Sequence, residues 1–221
     1  MRTLLITGAT GGLGTEILPY LAGAFDCVAL YRSESSFAAL REAVGGALRG
    51  VQADLGDPPS VRNAVRSIGT PYGLVHLAGG FAPGSLAETS DETWANMLSL
   101  NLTGAFVVIR EMLAVMDRAS AGRILVISSE AALTKAPGSV AYTVSKSGLS
   151  VLIEVAAKEL RGTRITANAL LPSSLDTAAM REVMPREKLV PLARIGETLA
   201  FLLSDAAASI SGALIPLRPG T

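Results

Sequence analysis

The stretch TGATGGLG, Thr7–Gly14, decides the fold of this chain, because it follows the apolar run MRTLLI and has four glycines in eight residues. In a parallel sheet, the turn from the first strand into the first helix can hold a dinucleotide pyrophosphate at the helix N-terminus. We predict that Gly8 makes this turn, and that Gly12 and Gly14 allow close approach of phosphate and helix. An ordinary tight turn is the alternative, because the spacing G-x-x-x-G-x-G differs from the common G-x-G-x-x-G.

Short apolar runs alternate with longer stretches of helical spacing along the rest of the chain. Strands that are apolar on both faces and alternate with helices are typical of a parallel sheet covered on each side. The predicted strands are 3–7, 27–31, 49–53, 73–78, 123–128, 165–171 and 213–217, and predicted helices include 13–24, 60–68, 91–116 and 140–160. We therefore predict an α/β fold, a doubly wound sheet of about seven parallel strands, in one domain over residues 1–221.

The segment 173–191 breaks this alternation, because it contains Pro185, Pro191 and several charged residues. We interpret it as a lid on the substrate side of the sheet or as a crossing segment, and not as part of the sheet.

Composition restricts the kinds of partner. The chain has 221 residues, 49% of them hydrophobic and 17% charged, and its formal net charge is zero. This balance argues against a nucleic-acid surface, and the many apolar side chains favour a homo-oligomer, a dimer or a homotetramer. Cys27 is the single cysteine, so no internal disulfide can form. We expect a cytoplasmic protein without a membrane partner or a metal site, because no signal segment or membrane-spanning apolar run stands out.

A second motif, Tyr142-Thr-Val-Ser-Lys146, falls within the predicted helix 140–160. Residues four apart share a helix face, so the Tyr142 hydroxyl and the Lys146 ammonium should be neighbours. A nearby cation lowers the pKa of a tyrosine, which would suit Tyr142 as a general acid. Ser129 precedes Tyr142 by thirteen residues, at the end of a predicted strand. That end of a parallel sheet faces the ligand crevice.

The chain resembles the short-chain dehydrogenase/reductase family in the order and spacing of its motifs. These motifs are the glycine turn, Asp54, Ala78-Gly79, Asn101, Ser129, Tyr142, Lys146 and Pro172. The terminal segment SGALIPLRPG strengthens the resemblance, which covers essentially the whole chain. It implies a Rossmann-type sheet that binds NAD or NADP.

The resemblance also implies a role for each catalytic candidate. Tyr142 would donate a proton to a substrate carbonyl as hydride arrives from the nicotinamide. Lys146 would hold the nicotinamide ribose and depress the pKa of Tyr142, and Ser129 would orient the carbonyl oxygen. Asn101 would hold a water molecule that links Lys146 to solvent.

The cofactor contacts follow from the same resemblance. Asp54 would bind the adenine amino group, and Thr177 would contact nicotinamide and phosphate together with the backbone near Pro172. The stretch HLAGG, residues 76–80, lacks the two asparagines of the family pattern, and its His76 is expected to form a structural hydrogen bond. The complete predicted set is Gly8, Thr10, Gly11, Gly12, Leu13, Gly14, Arg32, Ser33, Asp54, Leu55, Ala78, Gly79, Gly80, Tyr142, Lys146, Pro172, Ser173, Leu175 and Thr177.

The end of the second predicted strand bears on the choice of cofactor. Enzymes that prefer NAD place an acidic residue there, against the ribose 2′-hydroxyl. This chain has Tyr31, Arg32 and Ser33 instead. A guanidinium can bind a 2′-phosphate and stack on adenine, so the sequence favours NADP(H), with NAD(H) as the alternative.

Two stretches, HLAGGFAPG and LLPSSLDTAAMREVMPREKLV, resemble the dihydropteridine-reductase-like branch of the family. The expected pocket walls are Phe81, Ala82, Pro83, Leu133 and Met180. We predict an NADP(H)-dependent reductase of a carbonyl or quinonoid substrate. The alternatives are an NAD-dependent alcohol dehydrogenase, dihydropteridine reductase itself, a binding protein that senses the nicotinamide cofactor, and an assembly scaffold.

Overall fold

A computed structural model describes residues 1–46 and 48–220, apart from the side chain of Ala179. Its centre is a seven-stranded sheet in the order β3-β2-β1-β4-β5-β6-β7, and all six pairings are parallel. The strands are β1 Arg2–Thr7, β2 Phe25–Tyr31, β3 Arg49–Gln52, β4 Gly73–His76, β5 Gly122–Ile127, β6 Ile165–Pro172 and β7 Leu214–Leu217. The strand order reverses between β1 and β4, which places the ligand crevice of such a sheet beyond the ends of these two strands.

Helices cover both faces of the sheet. They are α1 Gly12–Ala22, α2 Glu34–Ala43, α3 Pro58–Ser67, α4 Asp91–Leu98, α5 Gly104–Val115, α6 Ala131–Thr134, α7 Val140–Glu159, α8 Ala178–Arg181 and α9 Leu192–Leu203. Alternate strand residues enter opposite layers: Leu5 packs in the layer of α3, α5 and α7, whereas Leu4 and Ile6 pack in the layer of α1, α2 and α9. The predicted doubly wound α/β fold is confirmed.

Some predicted boundaries differ from the observed ones. The predicted helix 91–116 is divided, because the π-helical segment Ser99–Thr103 separates α4 from α5. The strand predicted over 73–78 ends at His76, where the chain enters the crevice loop. The segment 173–191 lies outside the sheet, and it contains α8 and the 3-10 turn Arg186–Lys188.

Two helical segments, Asp91–Val115 and Val140–Glu159, are long and apolar enough to cross a membrane by length and composition alone. In the most apolar 18-residue stretch of each segment, 44% and 50% of the residues are buried. The inner faces of both segments belong to the core beside the sheet. Cys27 is also buried, and burial raises the pKa of its thiol to about 11.

Candidate active site

The turn between β1 and α1 brings three backbone segments together. Gly8 has φ +69°, and a Cβ there would lie 2.5 Å from the backbone N of Ala78. At Gly14, a Cβ would lie 2.4 Å from the carbonyl oxygen of Gly8. A Cβ at Gly12 would meet nothing within 4 Å. Gly8 and Gly14 therefore permit tight backbone packing, whereas Gly12 borders open space.

A cavity of about 380 Å³ lies beside this turn, at the point where the strand order reverses. Its walls are Gly8, Thr10, Gly11, Gly12, Leu13, Leu30, Tyr31, Arg32, Ala53, Asp54, Leu55, Leu77, Ala78, Gly79 and Leu100. Ten of the residues predicted to contact the cofactor are among them. Five wall residues were missed: Leu30, Tyr31, Ala53, Leu77 and Leu100. Leu30 and Tyr31 end the second strand, where adenosine contacts are expected.

Other predicted cofactor residues lie away from this cavity. Gly14 is buried behind the turn, and the Ser33 hydroxyl caps α2 by accepting a hydrogen bond from the Ser36 backbone. The backbone of Gly80 is bound to the Asn101 side chain. In this geometry each of the three supports a neighbouring element, and their predicted contact with the cofactor stays a prediction.

Tyr31 and Arg32 form the outer wall of the cavity at the end of β2. The Tyr31 ring stacks on Phe37 with 4.3 Å between centroids, and its hydroxyl donates to Glu34 at 2.6 Å. This hydrogen bond raises the pKa of Tyr31. The exposed Arg32 is fixed through its backbone, because its carbonyl accepts a hydrogen bond from Gln52. Arg32 thus lies at the rim of the cavity. The nearby Glu34 carboxylate accepts a hydrogen bond from Tyr31.

Asn101 lies in the π-helical segment and is completely buried. Its Oδ1 accepts from the Gly80 backbone N–H at 2.9 Å, and its Nδ2 donates to the Gly80 carbonyl at 3.1 Å and to Ser145 at 3.0 Å. These contacts join the loop after β4 to α7.

Lys146 is also buried in α7, and its Nζ donates to the carbonyl oxygen of Ile127 at 2.8 Å. Burial lowers the pKa of Lys146 to about 8. A Cβ at Gly79 would lie 2.8 Å from Asn101 Oδ1 and 3.0 Å from Lys146 Nζ. Lys146 and Asn101 therefore converge on one wall residue of the cofactor cavity.

Tyr142 and Ser129 face a second cavity of about 570 Å³. Contrary to the prediction, the pKa of Tyr142 is raised, because burial outweighs the lowering effect of its hydrogen bond with Ser129. The Lys146 ammonium does not lower it in this geometry, since Lys146 donates to the β5 backbone instead. A raised pKa keeps the Tyr142 hydroxyl protonated near neutral pH.

The walls of this second cavity are Phe81, Ser129, Glu130, Ala131, Thr134, Ala136, Tyr142, Ser173, Ser174, Leu175, Thr177 and Met180. Phe81 and Met180 were predicted as walls, whereas Ala82, Pro83 and Leu133 are not part of the lining. Ser173, Leu175 and Thr177 were predicted to contact the cofactor, but the structure places them here, and Pro172 is buried at the end of β6.

The segment 173–191 is tied together internally by a buried carboxylate, Asp176. Leu175 and Val190 form a β-bridge, and Asp176 between them binds the guanidinium groups of Arg181 and Arg186. The hydrogen bond from Arg181 is the main cause that lowers the pKa of Asp176. Thr177 caps α8 and also borders a third cavity of about 490 Å³ that reaches Gly12. The segment thus lines both the second and the third cavity.

His76 ends β4 directly below the site. It is fully buried, its Nδ1 lies 2.7 Å from the Thr7 hydroxyl, and its Nε2 has no partner among the described residues. Burial, followed by the charge of Lys146, lowers the pKa of His76 to about 3. The imidazole is therefore neutral, and its bond to Thr7 ties β1 to β4. Among the described residues, no group of three or more His, Cys, Asp or Glu side chains is placed to hold a metal ion.

Comparison with known proteins supports this architecture. Residues 2–188 match the family model for short chain dehydrogenase. The 3-oxoacyl-acyl-carrier-protein reductase FabG of Aggregatibacter actinomycetemcomitans is 32% identical over 239 residues, covering 99% of this chain and 98% of that protein.

Solved structures agree with the sequence comparison. A variant of actinorhodin polyketide ketoreductase with NADPH gives a TM-score of 0.87 at 27% identity, covering 99% of this chain and 96% of that one. A blue fluorescent protein from a metagenomic library, in complex with NADPH, gives a TM-score of 0.87 at 29% identity, with 99% and 97% covered. The chain therefore belongs to the short-chain dehydrogenase/reductase family, and it is an oxidoreductase that acts on a carbonyl or hydroxyl group with NAD(P).

Proposed function

We propose that this protein is an NADP(H)-dependent reductase of a carbonyl or quinonoid substrate, with Tyr142 as the general acid. One observation carries the proposal: the four candidate catalytic residues lie between the two cavities. Lys146 and Asn101 meet at Gly79, a wall of the cofactor cavity, whereas Tyr142 and Ser129 line the second cavity. A nicotinamide reaching past Gly79 would come close to a carbonyl beside Tyr142.

The donor residues suit reduction of such a carbonyl. When bound, the nicotinamide cofactor supplies a hydride to the carbonyl carbon. The Tyr142 hydroxyl then delivers its proton to the carbonyl oxygen, and an alcohol forms. Ser129 donates a hydrogen bond to the same oxygen, which favours the developing negative charge. Lys146, whose Nζ lies beside Gly79 in the wall of the first cavity, would hold the nicotinamide ribose. The raised pKa of Tyr142 keeps its proton available for the transfer at neutral pH.

The first test replaces Tyr142 by Phe, which keeps the ring and removes the proton. We expect reductase activity to fall by roughly 100-fold to 10,000-fold, the range for loss of a general acid. The Kd for NADPH should change by less than about threefold, because Tyr142 faces the second cavity. Steady-state NADPH oxidation and calorimetry measure the two quantities. Full activity of the Phe variant would show that Tyr142 is not the acid.

The preference for NADP(H) is supported by the NADPH-bound structural relatives and by Arg32 at the cavity rim. Replacing Arg32 by Ala should weaken NADPH binding about tenfold, or about 1.4 kcal/mol. NADH binding should weaken less than NADPH binding, because NADH has the adenine but no 2′-phosphate. Calorimetry with both cofactors measures this. A wild-type preference for NADH would contradict the assignment and favour the NAD-dependent alternatives.

Further proposals complete this picture. We propose that residues 1–221 form one cofactor-binding domain, with 173–191 as a lid over the substrate, and that the protein acts in the cytoplasm as a homo-oligomer. Membership of the dihydropteridine-reductase-like branch stays a prediction, and activity with a quinonoid dihydropterin and NADH would support it. Tight cofactor binding without turnover on any carbonyl compound would favour the sensing role.

A further inference from the structure

We propose that the substrate is an uncharged aromatic carbonyl compound whose ring packs on Phe81, an inference that rests on the proposed reductase function. It concerns the substrate class of the second cavity. The proposal depends on three properties of that cavity: its charge, the position of one exposed aromatic ring, and its size.

The charge of the walls disfavours an anionic substrate. Among the described residues that line the cavity, Tyr142 and Glu130 are the ionisable ones. The Glu130 carboxylate accepts a hydrogen bond from Arg218, which does not line the cavity. A carboxylate or phosphate on the substrate would face Glu130 with no wall cation to compensate it, and such desolvated charge is costly.

The nearest arginines do not change this conclusion. Arg181 and Arg186 are bound to Asp176 and line the separate third cavity. Lys135, at the end of α6, donates to Ser147 and to the Ala132 carbonyl. The cations around the second cavity thus already have acceptors, and an anionic substrate would have to displace them.

Phe81 supplies an aromatic wall next to the reactive hydroxyl. It is 65% exposed, and its ring centroid lies 5.0 Å from that of Tyr142 at an interplanar angle of 74°. A large apolar side chain left open at a cavity mouth gains stability when a ligand covers it. Aromatic rings also pack in offset or edge-to-face geometries that aliphatic chains cannot reproduce. An aromatic group beside the carbonyl would therefore bury Phe81 while the carbonyl reaches Tyr142.

The remaining walls and the volume fit such a molecule. Ala131, Ala136, Leu175 and Met180 provide apolar surface. All the remaining polar lining groups other than Glu130 are neutral hydroxyls, those of Ser129, Thr134, Tyr142, Ser173, Ser174 and Thr177. The volume of about 570 Å³ falls within the range of small-molecule sites, about 300–1,000 Å³. A ring with a short substituent would use this space better than a small aldehyde.

The test compares two matched pairs of ketones in steady-state NADPH oxidation. Acetophenone and 2-octanone have equal carbon numbers and differ in the aromatic ring. Ethyl benzoylacetate and benzoylacetate share the ring and differ in charge. We expect kcat/KM to be at least about tenfold higher for the aromatic member and for the neutral member. Equal or reversed ratios in either pair would overturn the substrate class while leaving the reductase proposal standing.

Substitutions at Phe81 assign the aromatic preference to its ring. Phe81→Leu keeps an apolar side chain but removes the ring, so the ratio of kcat/KM for acetophenone to kcat/KM for 2-octanone should fall towards one. Phe201→Ala is the matched control, because Phe201 is an exposed phenylalanine on α9 outside the cavity. An unchanged preference in Phe81→Leu would refute the role of Phe81.

A binding measurement keeps this inference separable from the proposed function. In the Tyr142→Phe variant loaded with NADPH, calorimetry should show ethyl benzoylacetate binding at least about tenfold more tightly than benzoylacetate. If the ester binds more tightly but the wild-type protein reduces none of the ketones, the substrate class is supported and the reductase proposal is not. Equal or tighter binding of the anion would overturn the inference whatever the turnover.

Discussion

His76 shows how burial changes the chemistry of a single residue. The side chain is fully buried between β1 and β4, and its bond with Thr7 is compatible with a neutral ring. A protonated ring would be a buried cation close to Lys146, and burial is the larger of the two causes that lower its pKa to about 3. An acid–base role near neutral pH does not follow from its being the single histidine of the chain.

A pH-dependent stability follows from this shift. Above pH 6.5, the ordinary value, His76 is neutral in both the folded and the unfolded chain, so it contributes no pH dependence there. Between that value and about 3, the unfolded chain binds a proton and the folded chain does not. The free energy of unfolding should therefore fall by about 2 kcal/mol between pH 7 and pH 5.

Urea unfolding at the two pH values measures this change. His76→Asn is the control, because Asn keeps a hydrogen-bonding side chain without titrating in this range. We expect the pH dependence to be largely lost in that variant. A variant with the same decrease as the wild type would assign the effect to other groups.

At the scale of elements, two glycines near the β1–α1 turn have different roles. A Cβ at Gly14 would collide with backbone atoms of Gly8 and Ala9, which cannot move without shifting the turn. Gly12 begins α1 beside the cofactor cavity, and its missing Cβ leaves open space. The two glycines are only two positions apart, so they form a matched pair for experiment.

We expect Gly14→Ala to lower the free energy of unfolding by about 1–3 kcal/mol, the usual cost of overpacking. Gly12→Ala should leave the stability nearly unchanged, because its Cβ meets no atom, but it should weaken NADPH binding. Chemical denaturation and calorimetry measure the two effects. Equal stability of the two variants would contradict the packing argument.

The π-helical segment between α4 and α5 is a second element-scale feature. One extra residue in the turn is a known way to adjust side-chain direction inside a helix. Here the segment contains Asn101, which bonds to both backbone groups of Gly80 and to Ser145 on α7. The apolar spacing of 91–116 predicted one helix, and the π turn at Ser99–Thr103 is seen only in the structure.

At the scale of the whole molecule, the outer faces of α5 and α7 remain apolar. Phe106 on α5 is 45% exposed, and Val144, Val151 and Val155 on α7 are 41%, 56% and 44% exposed. The three valines are spaced by seven and four residues, so they share one helix face. A chain that is 17% charged and leaves such a face open is expected to cover it with another copy.

We therefore expect a homo-oligomer in solution, measured by sizing with light scattering. Val151→Glu places a charge in the middle of this face and should shift the protein towards monomer, since an unpaired charge is costly at a buried interface. The fold should survive, because Val151 is exposed in the single chain. A monomeric wild-type protein would refute the oligomer.

The amino-acid sequence by itself determined the alternation of strands and helices, the glycine turn and the order of the catalytic candidates. These features depend on local spacing: apolar runs bury both faces of a strand, and i,i+4 positions share a helix face. Only the tertiary structure decided which groups meet. In the folded chain, Lys146 donates a hydrogen bond to the Ile127 carbonyl, and burial raises the pKa of Tyr142. Ser173, Leu175 and Thr177 line the second cavity. Those outcomes depend on solvation and on contacts between residues far apart in the chain, which local spacing does not encode.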